Sequence, residues 1–228
     1  MKIYPTTATE RFDDANFHIK YCLSFLKKYM TGKILEVGAG CGSFTKNYTN
    51  LNFTNITLTE LDEKNIQDLK QRFNSYKNIK ILDCVIDKVV GEFDTILYLH
   101  VLEHIKNDRL EIEEAEKKLK KGGYLIIMVP AHQKIYGNLD KAVGHFRRYE
   151  EKFFEQKISN LEKTKLLYLD SIGYLLYYLN KIFFKKEVYP SKLKIFLWDK
   201  IFTPLTIIID RLTNYKFGKC IIAIYKKN

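Results

Sequence analysis

Short apolar runs alternate with amphipathic stretches along the first 130 residues, and the alternation predicts the elements one by one. Residues 15–30 read as a helix, with Phe17, Tyr21, Leu23, Leu26 and Met30 roughly on one face. Residues 33–39 (KILEVGA) form a brief apolar run that ends in glycine, the pattern of a buried strand. A helix is expected to start within 43–50. Strands follow at 55–60 (NITLTE), 79–84 (IKILDC), 93–100 (FDTILYLH) and 122–130 (GGYLIIMVP), with helices over 62–74 and 109–120 between them. Strands interleaved with helices at this spacing predict right-handed βαβ units and a parallel sheet covered on both faces.

After Pro130 the rhythm changes. Residues 131–149 (AHQKIYGNLDKAVGHFRRY) read as a long loop containing Gly137 and Gly144, and loops of that length are more often functional than incidental. A helix over 150–160, a strand near 164–170 and a last strand over 219–227 complete the pattern. The aromatic and lysine-rich stretch 171–217 is read as a mostly helical insertion between the last two strands. The expectation is one α/β domain over 1–228, with residues 1–30 as an N-terminal helical cap.

Composition sharpens this picture in a few places. Apolar residues at 46 % suffice for a full core, and charged residues at 29 % argue against disorder. The net charge of +11 is uneven: residues 151–228 hold 15 Lys/Arg against 7 Asp/Glu. That third suits an anionic partner such as a phosphate-bearing substrate, a membrane surface or nucleic acid, or is a solvated lysine-rich surface. Cys22, Cys41, Cys84 and Cys220 are widely spaced without a CxxC, so reduced thiols are expected, with no metal-ligand cluster visible. The N-terminus lacks an apolar leader, and 168–184 is too short and polar to span a bilayer, so a cytoplasmic location is expected.

The specific chemistry begins at ILEVGAGCGSFT (34–45), where Gly38, Gly40 and Gly42 follow the first strand. A strand running into a glycine-rich turn brings a ligand against the main chain, as in nucleotide cofactor loops. Glu60 ends the second strand 18 residues after Gly42, where a carboxylate accepts hydrogen bonds from ribose hydroxyls. The spacing is GxGxG rather than the dinucleotide GxGxxG, which shifts the choice from a nicotinamide cofactor to S-adenosylmethionine. Asp83 after the third strand and FDTILYLHVLEHI at the fourth accompany it.

With those residues on the page, the chain resembles a class I S-adenosylmethionine-dependent methyltransferase from about residue 15 onward. ILEVGAGCGSFT, TLTELD, FDTILYLHVLEHI and LKKGGYLIIMVPA resemble the motifs of its first, second, fourth and fifth strands. Within the class, VPAHQKIYGNLDKAVGHFRRY resembles a bacterial subgroup often found with glycosyltransferases. The resemblance implies a Rossmann-like, doubly wound, mostly parallel seven-stranded sheet with an antiparallel last strand and a helical insertion before it. It further implies that Glu36 and the backbone of Gly38, Ala39, Gly40 and Gly42 face the methionine part of the cofactor. Glu60 holds the ribose, and Leu61 packs on adenine, whose edge Asp83 and Cys84 read. The main chain at Leu99 and His100 lies near the amino group and sulfonium, while Asn16 and Tyr21 close over the cofactor. S-adenosylhomocysteine is the implied product.

On the acceptor side, His145 is the candidate base, since imidazole titrates near neutral pH and this one sits in a glycine-flexed loop. His132 is a weaker candidate. Glu103–His104 shapes the pocket, with His104 either touching acceptor or cofactor or serving as a satisfied helix-start residue. Arg147 and Arg148 either hold a carboxylate or phosphate through their planar forks or tie the loop to Asp140 or Glu151. Tyr136 and Tyr149 line the acceptor pocket or pack the loop. The stripe Tyr174, Tyr177, Tyr178, Phe183, Phe184, Phe196 and Trp198 reads as core or a homodimer interface. With Lys181, Lys185, Lys186, Lys192 and Lys194, it also reads as an amphipathic lid on anionic lipid.

The expected activity is O-methylation of a small-molecule or glycan-like acceptor. The alternatives are a non-catalytic cofactor-binding subunit and a nucleic-acid methyltransferase. Against the latter, LHVLEH stands where a (D/N)PP(Y/F) motif would, and the basic residues form no aromatic-interleaved module.

Overall fold

A computed structural model describes residues 12–51, 53–158, 160–183 and 189–228. Residues 1–11 of the expected cap, and Phe184, Lys185 and Lys186 of the aromatic and basic stripe, lie outside the described residues. The strands are β1 (Lys33–Val37), β2 (Asn55–Thr59), β3 (Ile79–Leu82), β4 (Phe93–Leu99), β5 (Leu119–Pro130), β6 (Leu161–Leu169) and β7 (Cys220–Lys227). They form one sheet in the order β3-β2-β1-β4-β5-β7-β6. The pairs from β3 to β5 are parallel, and β7 runs antiparallel to both β5 and β6. Strand order reverses between β1 and β4, so the ligand crevice of such a sheet falls at their C-terminal ends.

Alternate residues of each strand point to opposite faces and feed separate cores. Leu35, Ile96, Tyr98, Leu125 and Ile127 pack on one face, while Ile34, Leu58, Leu97, Ile126 and Met128 pack on the other. Helices α1 (Asn16–Leu26) and α2 (Glu63–Arg72) cover the second face through Cys22, Leu23, Leu26 and Leu69. Helix α3 (Asp108–Lys118) covers the first through Ile112 and Ala115. The α2 sequence carries its own start and stop signals: Asp62 accepts from the Asn65 amide at 2.9 Å, and Lys70 and Arg72 occupy the last turn. In contrast, α1 is preceded by Ala15, whose methyl cannot accept a capping hydrogen bond. Its acceptor comes from far away, Asp199 Oδ1 taking the His18 amide at 2.9 Å.

The structure corrects several local expectations. Residues 43–50 make only a 3-10 turn (Thr45–Asn47), because Thr45 and Tyr48 are turned inward and the stretch is rich in poor helix formers. The buried face of α1 is His18, Ile19, Tyr21, Cys22, Leu23 and Leu26; Phe17 is half exposed. The helix expected over 150–160 stops at α5 (Glu151–Glu155). The loop 131–149 is not structureless: it contains a 3-10 turn (Gln133–Ile135) and the short helix α4 (Asn138–Ala142).

Between β6 and β7 lie α6 (Ser171–Phe183), α7 (Lys192–Leu197) and α8 (Thr203–Leu212), the last two joined by one π turn (Trp198–Phe202). Buried carboxylates anchor this segment. Asp210 accepts from the amides of Asp170 and Ser171 and from the Tyr21 hydroxyl. Asp170 pairs with Lys219 at 2.9 Å and accepts from Trp198 Nε1.

Candidate active site

Two glycines of the first loop are dictated by geometry. Gly38 and Gly42 both have positive φ, at 65° and 81°. A Cβ on Gly38 would lie 2.9 Å from the Val101 methyls, and one on Gly42 would lie 2.7 Å from the Phe73 ring. The loop is therefore a tight main-chain turn, its cradle wedged between the end of β4 and α2. It is tied to β2 by the Ala39 amide on Thr59 O at 2.9 Å.

Glu60 is buried and points back at this cradle. Its Oε2 accepts from the Gly40 amide at 2.7 Å, and its Oε1 accepts from the amides of Leu61 and Asp62 at 2.8 and 3.0 Å. The cradle and the acid thus sit where an adenosyl group with a ribose would lie, and the residues present fit it. Leu61 and Cys84 are half-buried and Asp83 is exposed, all at the same edge of the sheet. Leu99 ends β4, and the His100 amide bonds Met128 O at 2.8 Å with φ at 60°, a left-handed geometry that turns the chain sharply there.

Glu36 behaves differently from its expected outward role. Its Oε2 accepts from Thr45 Oγ1 at 2.7 Å and from the Tyr48 hydroxyl, behind the loop. Burial raises its carboxyl to about 7, even though those two hydroxyls oppose the shift. Tyr21, expected to close over the cofactor, commits its hydroxyl to Asp210 in the insertion. Asn16 is half-buried and donates to Asp14 O.

On the acceptor side, folding gathers histidines that are far apart in the chain. Glu103 and His104 form a 3-10 turn (Leu102–His104) just past β4, and the Phe146 amide on Glu103 O at 2.8 Å staples the loop 131–149 to it. The His104 and His145 rings meet edge-on at 4.5 Å. His145 Nδ1 lies 2.7 Å from Asp140 Oδ1, which fixes the ring and directs Nε2 toward Glu103 Oε1, 3.8 Å away. Burial depresses His104 to about 3, so this imidazole is neutral at physiological pH. Burial also disfavours the His100 cation, yet hydrogen bonding to Cys220 and to Glu103 pulls its pKa up. Reciprocally, His100 and His18 pull the Cys220 thiol down against its burial.

Both arginines are tied to the protein's own acceptors. Arg148 is buried, its Nε donating to Asp140 Oδ1 at 2.8 Å and its guanidinium lying over the Tyr177 ring. Arg147 donates to Asp108 and to Lys106 O. The loop-tying reading of this pair, with Asp140 as one partner, is the one the geometry matches. Tyr149 is buried and donates to Leu102 O and Asp108 Oδ2. Tyr136 donates to His145 O at 2.7 Å, and His132 is packed among Tyr168, Tyr174 and Phe217.

Sequence reasoning weighed Asp140 only as an arginine partner, whereas it also orients His145. It accepts too from the Gly137 amide and the Tyr177 hydroxyl, at 2.8 and 2.7 Å. His145, Arg148, Tyr177 and these contacts hold it well below the usual carboxylate range despite burial. Its spacing from His145, five residues along a loop, carries no periodic signal.

A methyltransferase-domain family profile matches residues 15–164, the whole span from α1 through the glycine cradle and the histidine cluster. The chain belongs to that family. An uncharacterized protein of Methanocaldococcus jannaschii, MJ1123, is 29 % identical over 145 residues, which is 62 % of each chain. The match thus spans about three-fifths of the length of that archaeal relative. The N-methyltransferase NodS from Bradyrhizobium japonicum WM9, in complex with S-adenosyl-L-homocysteine, shares the fold. Its TM-score is 0.61 and its identity 17 %, over 95 % of this chain and 90 % of that one. An S-adenosylmethionine-dependent methyltransferase from Clostridium acetobutylicum aligns with a TM-score of 0.56 and 14 % identity, over 95 % and 91 %. No described helix is long and apolar enough to cross a membrane.

Proposed function

We propose that the chain is an S-adenosylmethionine-dependent methyltransferase acting on a hydroxyl of a small-molecule or glycan-like acceptor. The observation that carries the cofactor assignment is the glycine loop Gly38–Gly42, at the end of the first strand, locked onto the Glu60 carboxylate. S-adenosylmethionine supplies a methyl group already activated on a sulfonium, so the protein has to orient and exclude water rather than create the electrophile.

Glu60 offers about four acceptor positions, and three are taken by amides. Two ribose hydroxyls need two positions, so the Gly40 contact is the one that yields when the sugar binds. The preference for an oxygen acceptor rests on His145, whose Nδ1 is held by Asp140 so that Nε2, beside Glu103, is the nitrogen left to act as a base.

Titration calorimetry with S-adenosylhomocysteine tests the cofactor. Glu60→Ala removes charge-assisted hydrogen bonds of about 1.5–3 kcal/mol and is expected to weaken binding roughly 10–150-fold. Gly40→Val fills the cradle and is expected to abolish binding. Unchanged affinity in both variants refutes the assignment. The carbon-13 chemical shift of the transferred methyl separates oxygen from nitrogen transfer.

We also infer that the insertion rests on an anionic lipid surface, where a lipid-linked acceptor would be found. Supporting this, Phe183, Leu193, Phe196, Ile208 and Leu212 are each more than half exposed, interspersed with Lys181, Lys192, Lys194 and Lys200.

A further inference from the structure

The geometry points to a divalent transition-metal site at Glu103, His104 and His145, next to the cofactor cradle. The sequence shows no such site, because its ligands come from two segments about 40 residues apart. One donor atom from each of the three residues lies within 4.8 Å of the others. A tetrahedral ion with bonds of about 2.1 Å separates its ligands by about 3.4 Å, so closing the cluster takes side-chain adjustments of about 1 Å.

The independent observation is Glu103 itself. Its side chain is fully buried; Oε2 has no hydrogen-bond partner among the described residues, and Oε1 has only long imidazole contacts. Oε1 is only approached, by His100 Nδ1 at 3.5 Å and His145 Nε2 at 3.8 Å. A buried carboxylate oxygen left like Oε2 is costly unless a cation completes it. The surroundings are also built as a metal site is. His145 turns its Nδ1 to the buried Asp140, the carboxylate–histidine arrangement that orients a ligating imidazole and leaves Nε2 for the metal. The Phe146 amide on Glu103 O and the Tyr149 hydroxyl on Leu102 O hold the two segments together.

Two imidazoles and one carboxylate select a borderline ion such as Zn²⁺, Mn²⁺ or Co²⁺ over Mg²⁺ or Ca²⁺. Three protein ligands leave a coordination position open, as in catalytic rather than structural sites. The site's role rests on the methyltransferase reading; its existence does not. Val101, two residues before Glu103, is the side chain against which Gly38 packs, so the ion would lie beside the cradle. With the ion bound, His145 Nε2 is a ligand and no longer the base, and an acceptor hydroxyl on the open position would lose its proton to water near neutral pH. Its oxygen supplies the electron pair for the new O–CH3 bond, and the pair of the breaking S–CH3 bond stays on sulfur.

The test is calorimetric titration of the chelator-stripped full chain with ZnCl2 and MnCl2, MgCl2 as control, and the visible absorption of the Co²⁺ form. One ion per chain is expected, with Glu103→Gln and His145→Gln each weakening it roughly 100-fold or more and Asp140→Asn roughly 10–100-fold. Circular dichroism melting confirms that the variants are folded, and S-adenosylhomocysteine titration of each confirms the cradle independently. Failure of that ligand to bind the wild type sinks the function and leaves the metal result standing. The site is overturned if no ion binds. It is equally overturned if binding survives Glu103→Gln but is lost in Cys22→Ala, which places the ion at the thiol–imidazole contact of Cys22 and His18 instead.

Discussion

Replacing Asp140 by alanine tests whether one carboxylate holds the whole acceptor loop. Asp140 is fully buried and receives Arg148 Nε, His145 Nδ1, the Gly137 amide and the Tyr177 hydroxyl, all at 2.7–2.8 Å. Removing it strands a guanidinium that is 6 % exposed, with Ala131 O at 3.3 Å and the Tyr177 side chain left to it among the described residues. Breaking a buried pair from one side costs about 3–5 kcal/mol, and the lost neutral hydrogen bonds about 1 kcal/mol each. Because the loop can relax, the expected total is about 4 kcal/mol. In urea denaturation with an m value of about 2–3 kcal/mol/M, the midpoint falls by roughly 1.5 M. Arg148→Met alone leaves the carboxylate with its other donors and costs about 3 kcal/mol. The double variant, with neither charge left behind, is expected near 4 kcal/mol rather than the sum of the two singles, a coupling of about 3 kcal/mol. Additive single effects, or an Asp140→Ala cost below about 1 kcal/mol, would refute the reasoning.

Two further outcomes follow. Glu36 has a carboxyl raised to about 7 in the folded chain against 4.5 when exposed, so the folded state holds a proton that the unfolded state releases. Its contribution to stability is full below pH 4.5 and is lost as pH rises toward 7, by roughly 3 kcal/mol. Glu36→Gln is therefore expected to flatten the wild-type fall in urea midpoint between pH 5 and 7.5; parallel curves would contradict it. For the lipid reading, flotation with phosphatidylglycerol vesicles is expected to recover the wild type. Recovery should be lost both with neutral vesicles and for the triple variant Phe183→Ser, Leu193→Ser, Leu212→Ser. Equal recovery in all three cases sinks that reading.

The parts of this molecule legible in its sequence are those encoded locally. The alternation of apolar strands with helices places all seven strands, since each strand's burial is written into consecutive residues. The cradle is legible because Gly38, Gly40 and Gly42 stand within five positions, and Glu60 because a fixed strand-to-strand spacing puts it opposite them. What escapes the sequence depends on contacts between distant segments. Thr45 and Tyr48 look like the start of a helix until Glu36 draws their hydroxyls inward. Tyr21 looks like a cofactor contact until Asp210, 189 residues later, claims its hydroxyl. The meeting of Glu103, His104 and His145 depends on how the loop after β5 folds back over the turn after β4, and no periodicity in either segment encodes that.

The borrowed cap of α1 has a consequence for the order in which the chain is made. Asp199 follows His18 by 181 residues, so a ribosome adding about 5–20 residues per second delivers it about 10–40 s after His18. During that interval the nascent helix has neither its terminal acceptor nor, from Asp210, the anchor for Tyr21. The earliest of the described helices is thus among the last to be secured.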